Sequence, residues 1–388
     1  SPDEAIFYTS GRTSNEAAYL YQLFIRTYGT NNLPDCSNMC HESSGVALSH
    51  TVGIGKGSVT LNDLHEAEVI MIMGQNPGTN HPRMLAALEK CKHNGGKIIT
   101  VNPLPEAGLL NFTDPQSPVR MIQGGTSLTD IFAPVKVNGD VAFLKAIMLL
   151  LVAMEDANPG QVLDWNFIKE HTDGFEDFLA ELKNEDIARC ITESGVDRET
   201  ITKVAQLMAD NEKIIICWAM GLTQQKNGVA NIQEVVNLLL MKGAIGKPGA
   251  GTCPVRGHSN VQGDRTMGIW EAPQDAFLDK LEEVHGIRAP RDHGYHVVSA
   301  IEAMKAGKGK VFFAMGGNFL SATPDTHYTA EALQNTHLTV QISTKLNRSH
   351  LVTGKQALIL PCLGRTDKDA QSSGEQFVSC ENSMGVVQ

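Results

Sequence analysis

The chain has 388 residues with 32 basic against 43 acidic side chains, a formal net charge of −11, and it is 42% hydrophobic and 19% charged. That length allows two or three domains at about 100–200 residues each, with ample material for packed cores, and the composition excludes a disordered tail or a disulfide-stapled peptide. An acidic chain with no Lys/Arg cluster is not a nucleic-acid groove, because phosphate neutralisation dominates that kind of affinity.

The longest apolar run, Ala146–Met154, is nine residues, against the roughly 20 that a bilayer-spanning helix needs, so it reads as a buried helix rather than an anchor. Eight cysteines, at 36, 40, 91, 190, 217, 253, 362 and 380, contain no C-x-x-C pair, which predicts a reducing, cytoplasmic compartment. The sequence opens at Ser1 and runs at once into an apolar strand, with no signal-peptide pattern.

In chain order, Ala5–Thr9 predicts a strand and Ser10-Gly11 a turn. Thr13-Ser14-Asn15-Glu16 then predicts a capping box, opening a helix that turns Ala17, Leu20, Tyr21 and Phe24 inward. Residues 30–58 read as a long loop, and a loop of that length is more often functional than idle. Glu68–Met73 predicts a strand, 74–78 a loop, Pro82–His93 a helix and Lys97–Val101 a second strand, together a parallel βαβ unit. Residues 105–135, rich in Pro, Gly and Thr, read as a surface excursion. Helices are expected over 139–154, 164–170, 174–185 and 197–210, the last capped near Asp197. Strands follow at Lys213–Trp218, Lys310–Ala314, His337–Ile342 and Ala357–Leu360, with a helix over Val229–Lys242 and a glycine-rich segment over Gly243–Gly251.

Three of these strands run into Met-Gly and a small or polar loop, at 73–76, 220–224 and 315–318. Taken singly, each is where a buried strand meets a turn. Three copies point to two nucleotide-sized sites or one long dinucleotide, since ligands of open α/β sheets sit beyond the carboxyl ends of strands.

Two segments concentrate reactive groups. Asp35-Cys36-Ser37-Asn38-Met39-Cys40-His41-Glu42-Ser43-Ser44-Gly45 places two thiols and an imidazole together. A soft metal prefers thiolate and a neighbouring histidine can move a proton, but no second ligand pair follows at structural-zinc spacing, and a non-functional cluster is the alternative. In Gly251–Gly263, Arg256 sits on a loop stiffened by Gly and Pro, where it could clamp a carboxylate or phosphate; the alternative is a solvated surface arginine. Gly53-x-Gly55-x-Gly57 lacks a leading strand and the G-x-G-x-x-G spacing, and reads as a flexible turn. P-loop, H-E-x-x-H and G-x-S-x-G patterns do not occur.

An ordered set of motifs nevertheless carries a resemblance. Cys40-His41, Val52-Gly53-x-Gly55, Gly74-x-Asn76-Pro77-x-x-x-His81-Pro82 and Trp218-x-Met220-Gly221-x-Thr223-Gln224 are followed by Gly243-x-x-Gly246-Lys247-Pro248-x-Ala250-Gly251 and Pro254-Val255-Arg256-Gly257-x-x-Asn260-Val261-Gln262-Gly263. Together they resemble the molybdopterin-dependent formate dehydrogenase-like oxidoreductases. Thr9-Ser10-Gly11-Arg12-x-Ser14-Asn15-Glu16-Ala17-Ala18 and Leu360-Pro361-Cys362-Leu363-Gly364-Arg365-Thr366 are most similar to the FdhF/YdeP branch.

The resemblance implies a catalytic subunit holding molybdenum or tungsten between two molybdopterin guanine dinucleotides. Cys40 would ligate the metal, His41 accept a proton and Arg256 orient formate or another small carboxylate. Gly74, Asn76, Pro77, Asn102, Gly221, Gln224, His258, Gly316 and Asn318 would line the cofactor. The implied fold is the central part of a formate dehydrogenase/DMSO reductase-like architecture: two Rossmann-like α/β domains with mainly parallel sheets flanked by helices. Residues 1–35 and 258–388 would form a discontinuous domain and 36–257 an inserted dinucleotide-binding domain. Such subunits also carry an N-terminal 4Fe-4S domain and a closing barrel-like domain, so the expectation is a central fragment, inactive in isolation, whose electrons leave through a cluster and a partner outside it. Where formate dehydrogenases have Gly-Pro after the histidine, this chain has Glu42-Ser43. The rival readings are a non-catalytic binding or stress-response module, for instance in acid resistance, and a nicotinamide-dependent dehydrogenase, against which the missing G-x-G-x-x-G speaks.

Overall fold

A computed structural model describes residues 1–116 and 124–388. The chain forms two compact units, Cys40–Gly257 and a discontinuous one made of Ser1–Met39 with His258–Gln388. In chain order the strands are β1 (Ala5–Thr9), β2 (Val69–Met73), β3 (Lys97–Val101), β4 (Asn111–Phe112), β5 (Thr126–Ser127), β6 (Ile131–Ala133), β7 (Ile214–Trp218), β8 (Gly251–Pro254), β9 (Val311–Met315), β10 (Leu338–Ser343), β11 (Gln356–Pro361), β12 (Asp369–Gln371) and β13 (Gly374–Gln376). The pairs β4–β5 and β12–β13 are small antiparallel ribbons. All other ladders among the described residues are parallel, giving two α/β sheets flanked by helices, as the resemblance implies.

In the unit Cys40–Gly257 the sheet runs β6-β3-β2-β7-β8. Strands β2 and β7, Val-Ile-Met-Ile-Met and Ile-Ile-Ile-Cys-Trp, are buried at every position, the expected pattern where helices cover both faces of a parallel sheet. The two-residue period divides them between two cores. Val69, Met71, Met73, Ile216 and Trp218 pack on one side with residues of the helices Asp140–Ala157, Arg198–Ala209 and Gly228–Met241. Ile70, Ile72, Ile215 and Cys217 pack on the other with Leu64, Leu85, Leu88 and Cys91. Chain order makes β2 the pivot: β3 and β6 extend to one side, β7 and β8 to the other. The crevice at the carboxyl ends of β2 and β7 is therefore the topological switch point, the place where such sheets bind ligands.

In the discontinuous unit the order is β1-β9-β10-β11. Ile6, Tyr8, Phe312 and Ala314 share one core, while Ala5 and Phe7 face helix α1 (Asn15–Tyr28) through Ala18, Tyr21 and Ile25.

Several expectations are corrected. Helix α1 is capped by Ser14, whose side chain accepts from Ala17 N; the Thr13 hydroxyl donates instead to Asp264 Oδ1 at 2.6 Å, and Glu16 accepts from Ser379. Leu20 and Phe24 are 66% and 52% exposed, and the buried stripe runs through Ala18, Tyr21, Gln22, Ile25 and Arg26. Two polar residues in that stripe disguise it: Arg26 Nη2 donates to the carbonyls of Gly268 and Trp270, both at 3.0 Å. The expected loop 30–58 contains the 3₁₀ turn Cys36–Met39 and helix α2 (Glu42–Val52). The expected excursion 105–135 contributes β6 to the main sheet. Asp130 sets its register, its N–H donating to Ile98 O and its carboxylate accepting from Ile98 N, while residues 117–123 lie outside the described residues. Helix Ile187–Ser194 and edge strand β8, hidden by Gly251 and Pro254, also escaped the pattern.

The helix Asp140–Ala157 accounts for the nine-residue apolar run, and no helix among the described residues is long and apolar enough to cross a membrane. Near its end the buried Glu155 carboxylate accepts from the backbone N–H groups of Gly160, Val162 and Leu163 and from the Trp165 indole. Its carboxyl is held down to about 2; burial, which opposes this, is outweighed by those donors. Glu155→Ala strands them and is expected to lower unfolding stability by about 3 kcal/mol or more in urea titrations.

Candidate active site

Helix α2 opens at the switch point, which is how Cys40 and His41, so early in the chain, reach the ends of β7 and β8. Thr223 Oγ1 donates to the Cys40 carbonyl at 2.6 Å, and Ser43 Oγ donates to the Thr223 carbonyl at 3.2 Å. His41 is 1% exposed. Its Nε2 lies 3.0 Å from the Val255 carbonyl and its Nδ1 lies 2.9 Å from Ser44 Oγ, which also accepts the Trp218 indole N–H at 2.9 Å. A carbonyl only accepts, so Nε2 carries a proton. Burial, helped by the neighbouring charge of Arg256, pushes its pKa down to about 3.

Arg256 is half-buried rather than a solvated surface group. Its Nη2 donates to the Gly55 carbonyl at 3.0 Å and its own carbonyl accepts from His81 Nε2 at 3.0 Å. The turn at Gly53-x-Gly55-x-Gly57 thus contributes a carbonyl that holds the guanidinium. Asn102, at the end of β3, donates from Nδ2 to the Gln75 carbonyl at 2.8 Å. Cys40, His41, Gly74, Asn76, Pro77, Asn102, Gly221, Gln224 and Arg256 all sit on segments at this one edge of the sheet.

Two Met-Gly corners meet directly. Gly221 N donates to Gly74 O at 3.0 Å, and a Cβ added at Gly221 would stand 2.5 Å from Gly74 Cα. Glycine is needed at both positions for backbone packing, and Gly74 also has φ +57°. Gly221→Ala is expected to cost about 1–3 kcal/mol in urea denaturation, because the obstructing atoms are backbone and cannot swing aside.

The edge also offers buried acceptors that lack donors. Gln75 Oε1, Asn76 Oδ1, His81 Nδ1, Gln225 Oε1 and Asn227 Oδ1 have no hydrogen-bond partner among the described residues. A buried polar atom left so is costly, which makes this set fit a ligand rich in N–H groups, such as a pterin or a guanine. Sequence reasoning gave no role to Ser44, Gln75, His81, Trp218, Thr223, Gln225 or Asn227; His81, Trp218 and Thr223 stood inside the quoted motifs, the one signal that could have marked them.

The third Met-Gly belongs to the discontinuous unit. Gly316 and Gly317, both at φ +76°, follow β9, and a Cβ on Gly316 would meet Ser10 Oγ at 2.6 Å. Here the ends of β1, β9 and β10 open onto a cavity of about 690 Å³ lined by Arg12, Gly316, Asn318, Lys345, Arg365 and Lys368 among others. Arg12, Lys345 and Arg365 suit phosphates, whereas Lys368 pairs with Glu375 of the same lining. His258 lies in the same unit, half-buried beside Gly11. A larger cavity, about 870 Å³, lies at the opposite end of the other sheet, near Glu212 and Lys242, away from all these residues.

The family model described as Molybdopterin oxidoreductase matches residues 2–350. The chain belongs to the molybdopterin oxidoreductase family. An uncharacterized oxidoreductase of Mycobacterium tuberculosis is 55% identical over 387 residues, covering 100% of this chain and 50% of the relative. Protein YdeP of Escherichia coli K12 is 46% identical, covering 100% and 52%. The alpha subunit of F420-dependent formate dehydrogenase 1 from Methanococcus maripaludis is 29% identical, covering 97% and 53%. This molybdopterin oxidoreductase chain spans about half the length of the curated relatives it matches. Its fold matches acetylene hydratase from Pelobacter acetylenicus with a TM-score of 0.68 at 17% identity, over 100% of this chain and 53% of that one.

Proposed function

We propose that the chain is the cofactor-bearing part of a cytoplasmic oxidoreductase that carries out two-electron chemistry on a small anionic substrate, at molybdenum or tungsten held by two molybdopterin guanine dinucleotides. One observation carries the reading. At the β2/β7 switch point the fold brings the adjacent Cys40 and His41 to the loop of Arg256, more than two hundred residues later in sequence, beside buried acceptors that suit a donor-rich ligand. The presence of one strand-end cradle in each unit supports one dinucleotide per unit.

When bound, the metal and its pterins supply the two-electron redox couple. Cys40 offers a soft anionic thiolate as ligand. Gln75, Asn76, Gln225 and Asn227 would accept from a pterin or guanine edge, and the absence of side chains at Gly74 and Gly221 would let it approach the backbone. Arg256 receives the carboxylate of formate or a similar anion, its planar fork setting the orientation. His41 holds its proton at Nε2 against the Val255 carbonyl and, with Nδ1 facing the Ser44 hydroxyl, fixes the loop that carries Arg256. Glu42, half-buried beside this pair, distinguishes the pocket from one with Gly-Pro there and favours a substrate other than formate.

Elemental analysis and guanine-nucleotide release, on protein of the relatives' full length from a host that makes the cofactor, test this. The expected result is stoichiometric molybdenum or tungsten with two dinucleotides per metal. Folded protein with neither overturns it and leaves a binding module.

A further inference from the structure

Groups that can act in only one direction fix the state of His41. The Trp218 indole N–H donates to Ser44 Oγ at 2.9 Å, so that oxygen has one lone pair taken. The Val255 carbonyl can only accept, which places the imidazole proton on Nε2. In the neutral ring Nδ1 is an acceptor, and the hydroxyl proton of Ser44, 2.9 Å away, serves it. Trp218 and Ser44 are 0% exposed and His41 is 1% exposed, so water does not compete for these positions.

The chain of bonds ends on the peptide that precedes Arg256. Val255 N–H donates to the Trp218 carbonyl at 2.9 Å, so both edges of Val255 are tied to the Trp218–Ser44–His41 group. Arg256 follows directly, with its own carbonyl bound by His81 and its guanidinium by Gly55 O. Two histidines thus clamp the backbone on either side of one arginine.

We propose that Ser44 and Trp218 are positioning residues for Arg256, acting through His41 as a strut fixed in its Nε2–H tautomer. Its functional meaning rests on Arg256 being the substrate-orienting group, whereas the geometry it asserts requires no cofactor. A hydroxyl at 44 is required, because only a group that accepts from indole and donates to imidazole at once completes the circuit. An indole at 218 is required because it turns that hydroxyl toward Nδ1.

The test uses the full chain with ¹⁵N-labelled histidine. Long-range ¹H–¹⁵N spectra, with His41 assigned through His41→Gln, report the tautomer, and amide hydrogen exchange reports Val255. The expected result is a protonated Nε2 and bare Nδ1 in the unaltered chain. In Ser44→Ala and Trp218→Phe, Val255 exchange should rise at least tenfold while Met71 and Ile216 stay protected, with Ser44→Thr restoring the slow rate. A ring protonated at Nδ1, or Val255 exchange unmoved in both variants, overturns the proposal. If Ser44→Ala fails to fold, the tautomer and Trp218→Phe still decide it. Loss of the molybdopterin reading by metal analysis would leave these outcomes standing, so the two can fail separately.

Discussion

Arg256→Ala in the cofactor-loaded, full-length protein is expected to lower kcat/KM for an anionic substrate by about 10²–10³, while metal and dinucleotide content stay near the unaltered level. The magnitude follows from removing one charge-assisted, bidentate partner from a partly desolvated pocket, about 3–4 kcal/mol. Specificity of the effect follows from the local architecture. The loop is held at the Val255 and Arg256 carbonyls by His41 and His81, and neither bond uses the Arg256 side chain. Gly55 O loses the Nη2 donor. Elemental analysis alongside steady-state kinetics reads both quantities. Equal loss of metal and turnover would show that Arg256 holds the fold or cofactor and not the substrate.

Acid should destabilise the Cys40–Gly257 unit through His41. Its pKa falls from the ordinary 6.5 to about 3 because the ring is buried, with the Arg256 charge adding to the effect. Above pH 6.5 the imidazole is neutral both folded and unfolded, and its full contribution to stability is present. As pH falls from 6.5 toward 3, the unfolded chain binds a proton that the folded one refuses, and stability declines by about 1.4 kcal/mol per pH unit, or about 5 kcal/mol in total. Urea midpoints of the unaltered chain and His41→Gln at pH 7, 6, 5 and 4 isolate this residue from the carboxylates, whose contributions cancel in the difference. Parallel pH dependence in the two proteins would show that the buried ring does not resist protonation.

Much of the α/β fold was legible because buried parallel strands are apolar at every position and few other elements are. Val69–Met73 and Ile214–Trp218 announce themselves, as does the helix Pro82–His93. The misreadings share a cause: tertiary partners altered what a local pattern meant. Ile131–Ala133 became a strand because Asp130 found Ile98 across the sheet, and α1 turned its stripe because Arg26 found two carbonyls more than two hundred residues away. Helix α2 was hidden because its opening residues were read as a ligand-bearing loop.

The ordered motifs by themselves determined the family and named Cys40, His41 and Arg256, since residue type and order survive in a linear string. Only tertiary structure decided how these residues are held. The pairing of Gly74 with Gly221, the clamp of two histidines around Arg256 and the proton's place on Nε2 each depend on groups brought together from distant segments. A hydrogen bond has a direction and a length that no single residue carries, so its consequences exist only once both partners are in place.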